Sequence, residues 1–350
     1  MNNSGIPQIG LNFRAEILDA RLSAPFPAAE PRAGPSRRLL TLVGMESAAV
    51  EIDGLVKRYG RTTAIDGLTL TARRGEVTAI LGPNGAGKTS TIEICEGFRQ
   101  ADGGVVRVLG LDPARPELRA RVGVMLQAGG VPPAARAGEW LRLVSRFYAR
   151  PLDPAALLDR LGLTGHARTP YRRLSGGQQQ RISLAAAVIG RPELVFLDEP
   201  SAGLDPQARH ACWDLVGDLR RAGVSVVLTT HHMDEAEKLA DHVVIIDRGR
   251  VVAEGSPATL TGAERQLRFR ARPGLNLDEL LTGLPDGSAA KESPAGHYII
   301  EGPASAGVGP ELLATVTAWC AAEGVTADDL SIERRTLEDV FLELTGRELR

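Results

Sequence analysis

The sequence predicts an α/β domain on a mostly parallel core sheet, with an antiparallel β part, an inserted group of helices and a small α+β domain behind it. Three observations predict this. From Val50 onward, β-like runs alternate with helix-like runs, the order that a sheet with crossover helices requires. Leu194 to Leu197 is continuously apolar and Val224 to Leu228 is apolar but for Ser225, as central strands covered on both faces are. Between Gln127 and Leu174 the strand signals stop and helical patterns replace them, and after about Gly262 the character changes again. A chain of 350 residues exceeds what one compact core usually takes, so two folded regions plus a tail are expected.

Residues 1–44 are rich in Pro, Arg, Ala and Gly. The stretch SAPFPAAEPRAGPSRR carries too little apolar surface to fold, so a disordered extension is expected there, and no apolar h-region of a signal peptide is present. Regular strand pattern begins only after Met45, which therefore reads as the native start; a flexible basic arm is the other reading. The strands then follow as VEIDGL, two strands around Arg74-Gly75 in LTLTARRGEVTAILG, VVRVLG, VGVML, LVFLD, VSVVLTT, HVVIID and RVVAEG. GEWLRLVSRFYAR and DPAALLDRLGL supply the helical insert, spanning about 128–174 within a domain of 48–261. In 262–350, LRFRAR, HYIIEG and DLSIER read as strands, and LNLDELLTGL, GPELLATVTAWCAAEG and TLEDVFLELTGREL as helices.

Composition excludes several functions. Aromatic residues make up 4% of the chain and the net charge is −2, so neither base stacking nor attraction to phosphate backbones or anionic lipid is favoured; no nucleic-acid partner is expected. Cys95, Cys212 and Cys320 are far apart and form no CxxC pair, which predicts reduced, mostly buried thiols. No stretch approaches the roughly 20 apolar residues of a membrane span; the best run, Leu184 to Ile189, reads as core helix.

GPNGAGKT, comprising Gly82, Pro83, Asn84, Gly85, Ala86, Gly87, Lys88 and Thr89, fits GxxxxGK[ST] between the strand VTAIL and the helix-like TSTIEICEGF, which starts at Thr89 and whose Ser90 joins the loop as an ATP-binding candidate. Its glycines let backbone N–H groups turn inward around phosphate oxygens, and the helix N-terminus adds partial positive charge. Lys88 supplies a point charge for the β- and γ-phosphates and Thr89 a hydroxyl for Mg²⁺. LVFLDEP is an apolar strand that ends abruptly in two acids. Alone such a turn is often a solvated cap. With a phosphate loop about a hundred residues upstream, it presents Asp198 as a metal ligand and Glu199 as the water-activating base.

LSGGQQQR, Leu174 to Arg181, places Ser175, Gly176, Gly177 and Gln178 at the opening of a helix, a second anion site. It resembles the signature sequence of the ATP-binding cassette (ABC) family, the phosphate-loop ATPases that power membrane transporters. That resemblance implies a head-to-tail homodimer of nucleotide-binding domains in which Leu174 to Gln178 meet the ATP of the partner protomer. It also implies that Gln127, ending VGVMLQ, touches Mg²⁺ and water, that Asp205 in SAGLDP is the carboxylate of the following loop, and that His231 contacts the γ-phosphate. His232 reads as a surface histidine. Tyr59, about 23 residues before Gly82, matches the aromatic that stacks on adenine. Ser201 stands where the family more often has Thr.

These matches cover roughly residues 48 to 260. The tail LEDVFLELTGREL and the segment EGFRQADGGVVRVLGLDP resemble the daunorubicin-resistance-type drug and antibiotic exporters. The resemblance implies an ATPase, with ATP and Mg²⁺ as cofactors, held peripherally at the cytoplasmic face of the membrane by a separate multi-span permease. An importer motor shares the core but usually adds a β-rich barrel. A soluble non-transport cassette protein would show tandem cassettes or a coiled coil, whereas about 85 residues without heptads separate Thr89 from Ser175.

Overall fold

The computed structural model describes residues 48–126, 130–262, 265–292, 295–303 and 307–346. Residues 1–44, Met45 and Gln127 lie outside the described residues. The chain divides into two compact units, the second running from Ala258 to Gly346.

In the first unit, strands β1 (Ala48–Tyr59), β2 (Thr62–Arg73) and β4 (Gly103–Val108) form an antiparallel sheet of order β2-β1-β4. Strands β3 (Val77–Leu81), β5 (Val122–Met125), β6 (Leu194–Asp198), β7 (Ser225–Thr229), β8 (His242–Asp247) and β9 (Arg250–Gly255) form a second sheet of order β5-β6-β7-β3-β8-β9. All its pairs are parallel except β8 with β9. Strands β3, β6 and β7 are buried at every position, which is why they read as predominantly apolar rather than alternating runs. Helix α1 (Lys88–Cys95) leaves the end of β3. Its Ile92 and Ile94 share one core with Ile52, Leu55 and Leu68 of the antiparallel sheet and Phe196, Val227 and Ile246 of the parallel one. Each such side chain contributes about 1.5–3 kcal/mol of burial, so the loop preceding α1 is anchored on both sides.

Helices α2 (Ala137–Ser145) and α3 (Pro154–Arg160) make the insert. Asp153 caps α3 by accepting from the Ala155 and Ala156 amides, with Pro154 at the first helical position, where no amide is missed. The insert is tied to the core by Arg160, which reaches Asp218 at 2.9 Å. Helices α4 (Gly176–Val188), α5 (Pro206–Arg221) and α6 (Met233–Leu239) follow the signature segment, β6 and β7 respectively. Because β7 lies between β6 and β3, the chain segments that leave these three strands emerge side by side.

After the short helix α7 (Pro257–Thr261), strands β10 (Arg265–Arg270), β11 (Ala289–Glu292), β12 (His297–Glu301) and β13 (Asp328–Arg334) form an antiparallel sheet of order β11-β12-β10-β13. With helices α8 (Leu277–Gly283), α9 (Pro310–Ala322) and α10 (Leu337–Thr345) they complete the second unit. Its own core centres on Leu267, Phe269, Tyr298, Ile300 and Val316, with the Phe269 and Tyr298 rings stacked at 5.1 Å. The free thiols Cys95, Cys212 and Cys320 are all buried.

Candidate functional site

The site begins where β3 ends. Gly82 leaves the strand so close to β8 that a Cβ there would stand 2.3 Å from the Ile246 carbonyl oxygen. Gly87, the N-cap of α1, has φ 105°, and a Cβ would stand 2.7 Å from the Ala64 carbonyl oxygen. Sequence spacing had assigned these glycines to a phosphate loop; the coordinates add that neighbouring backbone leaves no room for any other residue. Lys88 is 7% exposed. Its Nζ donates across the loop to the carbonyl oxygens of Gly82 at 2.5 Å and Pro83 at 3.2 Å. Burial lowers the Lys88 pKa, and the carboxylates of Glu199 and Asp198 oppose that shift. The ammonium is thus desolvated and held against the loop by two carbonyl oxygens, a buried positive charge that an anionic phosphate chain would satisfy. Thr89 beside it is exposed. Tyr59, 40% exposed, bonds its hydroxyl to Ser90 at 3.1 Å and sits beneath Lys57 and Arg99 at 5.6 and 5.5 Å from its ring centroid.

At the end of β6, Asp198 is 6% exposed and its Oδ1 accepts a short hydrogen bond from the Thr229 hydroxyl of β7. Burial raises its pKa, the Thr229 bond lowers it, and neighbouring Glu199 raises it. A buried carboxyl whose ionisation is disfavoured in this way fits a site that a cation completes. Glu199 follows in the left-handed region at φ 49°, a strained conformation for a residue with a Cβ. Its amide is held by the Thr229 carbonyl and hydroxyl oxygens, both at 3.1 Å. Gln180 of α4 donates to its carbonyl oxygen at 2.7 Å. The resulting turn lifts the Glu199 carboxylate to His231, whose Nδ1 lies 3.2 Å from Oε2. His232 packs against His231 with ring centroids 4.1 Å apart, and burial, then His231, lowers its pKa.

The signature residues sit apart from this cluster on the same unit. Ser175 caps α4 in a reciprocal box: Gln178 N donates to its Oγ at 3.3 Å and Ser175 N donates to Gln178 Oε1 at 3.0 Å. Leu174 is buried, while Ser175 and Gly176 are exposed. A Cβ at Gly177 would stand 3.0 Å from Leu204 Cδ2, so the signature turn packs directly on the loop ending at Asp205. Asp205 itself caps α5, accepting from Ala208 N at 2.9 Å.

The coordinates therefore bring Lys88, Asp198, Glu199 and His231 together, with Tyr59 over the start of α1. They leave Ser175 and Gly176 exposed on the unit's own surface, with Gly177 and Gln178 half-buried behind them. Two participants escaped the sequence reading. Thr229 of β7 holds both Asp198 and the Glu199 amide at the end of β6, and Gln180 ties the signature helix to Glu199; as a threonine at a strand end and a glutamine in a polar run, neither carries a spacing signal.

A family model described as ABC transporter matches residues 65–202. A daunorubicin resistance ATP-binding protein of Streptomyces coeruleorubidus is 36% identical over 316 residues, 87% of this chain and 98% of that protein. A Nod factor export ATP-binding protein of Ralstonia nicotianae is 35% identical over 308 residues, covering 86% of this chain and 95% of the relative. Among solved structures, the ATP-binding subunit of an ABC transporter matches with TM-score 0.56 and 28% identity over 61% of this chain and 91% of that one. A dimeric ATP-binding cassette in a post-hydrolysis state, bound to ADP and Pi, shares the fold at TM-score 0.55 and 24% identity, covering 59% and 98% of the two chains.

Proposed function

The chain belongs to the ABC transporter family, and from that premise we propose that it is the ATP-hydrolysing motor of an exporter whose pore is a separate multi-span permease. The observation that carries the chemistry is the juxtaposition of a strained Glu199 with His231 at 3.2 Å beside the desolvated Lys88. ATP lies with its phosphates in the loop Gly82 to Thr89 and its adenine on Tyr59. Mg²⁺, when bound, would neutralise phosphate charge; Thr89 and Asp198 are the described residues that would hold it, and Gln127 is a ligand on the family resemblance alone. Glu199 takes a proton from water as the water oxygen bonds to the γ-phosphorus and the bond to the bridging oxygen breaks, giving ADP and phosphate. His231 orients the Glu199 carboxylate, and Lys88 holds the charge that builds on the γ-phosphoryl oxygens. A second protomer contributes Ser175 to Gln178 and Asp205, closing two nucleotides in a two-fold interface.

Export is favoured by near full-length similarity to a daunorubicin resistance and a Nod factor export ATP-binding protein. Among the described residues no helix is long and apolar enough to cross a membrane. A 470 Å³ cavity between β5 and helices α2 and α4, lined by Leu118, Val124, Leu126, Trp140, Val144 and Ala187, is the surface on which we place the permease. This puts the cassette at the cytoplasmic membrane face. Substituting Glu199 with Gln tests the chemistry. Turnover is expected to fall at least about 10²-fold while ATP binding persists and dimers accumulate; near wild-type turnover overturns the assignment.

A further inference from the structure

Behind the catalytic turns lies a carboxyl group that the chemistry above does not use. Glu235, on α6, is 0% exposed. Trp213 of α5 donates its indole N–H to Glu235 Oε1 at 3.0 Å. Burial raises the Glu235 pKa, against the hydroxyls of Thr230 and Ser201 and the Trp213 bond, which favour its charged form. Glu235 Oε2 and Ser201 Oγ are sealed from water, and neither makes a well-formed hydrogen bond. Ser201 itself is 0% exposed.

The positions of these partners matter more than their number. Ser201 is two residues beyond Glu199 and opens the segment that ends at Asp205. Thr230 immediately precedes His231, and its hydroxyl accepts from the His232 amide at 3.0 Å. Trp213 lies on the helix that Asp205 caps, with Lys238 of α6 over its ring at 4.8 Å. A carboxyl is costly in a sealed interior unless its oxygens are met. Here Oε1 is met by Trp213, which ties α5 to α6, and Oε2 has only the nearby Ser201 and Thr230 hydroxyls to offset its burial, without a well-formed bond to either.

We infer that Glu235 is a positioning residue for ATP hydrolysis, holding the Ser201 turn and the Thr230 turn at the spacing that brings Glu199 and His231 together and presents Asp205 to the partner protomer. The inference rests on the assignment of Glu199 and His231 given above. A shift of about 1 Å in such a pair costs on the order of 10²-fold in rate, while the phosphate loop, carried by β3 and α1, is left unaltered. Gln keeps an acceptor for Trp213 and gains an amide N–H for a hydroxyl, so it stands in for a neutral carboxyl; Leu keeps the volume and removes both oxygens.

The test is hydrolysis by the full-length protein in single-turnover format, with ATP affinity measured by titration, for E235Q, E235L, S201A and the E235L/S201A pair, with E199Q alongside. E235Q is expected within about threefold of wild type. E235L is expected to lose about 10²-fold in rate with ATP affinity within about twofold, and S201A to cost nothing further in the E235L background. Unchanged E235L turnover, rate and affinity falling by the same factor, or losses that multiply between E235L and S201A would overturn the inference. Where E235L does not fold, S201A, which removes one hydroxyl, decides: a rate equal to wild type overturns it. An active E199Q contradicts the parent assignment, whereas an inactive E199Q with active E235L contradicts this inference alone.

Discussion

Replacing Gly87 with Ala isolates the physics that shapes the phosphate loop. The residue has φ 105° and its added Cβ would stand 2.7 Å from the Ala64 carbonyl oxygen, with Ile65 Cγ1 at 3.3 Å. A side chain in left-handed backbone costs roughly 1–2 kcal/mol, and forcing a methyl into packed backbone costs about 1–3 kcal/mol. The sum is about 2–5 kcal/mol. For a domain of this size that corresponds to a fall in Tm of roughly 4–20 °C. Gly85 provides the internal control: its φ is 82°, but nothing lies within 4 Å of the added Cβ, so Gly85→Ala is expected to show only the backbone cost, about 1–2 kcal/mol. Differential scanning calorimetry of the full chain reads both, and ATP titration reads the loop: Gly87→Ala is expected to bind ATP at least about tenfold more weakly, because the N–H cradle must distort to accept the methyl. A Gly87→Ala protein as stable as Gly85→Ala, binding ATP like wild type, would refute the claim that Ala64 and Ile65 hold the loop in shape.

Three further outcomes follow from particular side chains. Glu96, at the floor of the cavity between β5 and the insert, has its pKa pushed up to about 8 by burial, then by Asp198 and Glu93; the folded protein therefore binds more protons than the unfolded chain between roughly pH 4.5 and 8, stability falls as pH rises through that window, and Glu96→Gln is expected to flatten the Tm-against-pH curve there. Ser175→Ala removes one half of a capping box and is expected to cost about 1 kcal/mol by urea unfolding, together with a loss of ATP-dependent dimer in light scattering that a capping role alone does not produce. Asp218, 6% exposed, holds Arg160 at 2.9 Å and also Arg221; Asp218→Ala leaves Arg160 half-buried and unpaired, and a loss of about 1–3 kcal/mol is expected in the urea midpoint.

What was legible in the sequence follows from where backbone geometry is over-determined. Gly82 and Gly87 stand where any Cβ meets a carbonyl oxygen, so their spacing reads as a motif, and the all-buried β6 and β7 show as predominantly apolar runs. Strand β11, Ala289–Glu292, was missed because AAKE has a helix former's composition; it is a strand through its pairing with β12, a tertiary effect that composition does not report. The run VEIDGL marks only part of strand β1. The strand instead runs on to Tyr59 through register shifts around Gly54, and that bulged extension delivers Tyr59 to Ser90. Trp213, Thr229 and Glu235 are invisible for a related reason: each acts through a hydrogen-bond partner 22 or more positions away in sequence, a proximity only the fold creates.

The central claim, that this ATPase drives a separate permease, is tested most directly by affinity purification of the Glu199→Gln protein from gently solubilised native membranes with ATP present, followed by identification of whatever accompanies it. The account expects a multi-span polypeptide in stoichiometric amount. A soluble dimer without a membrane partner, or one carrying ribosomes or DNA, would contradict it.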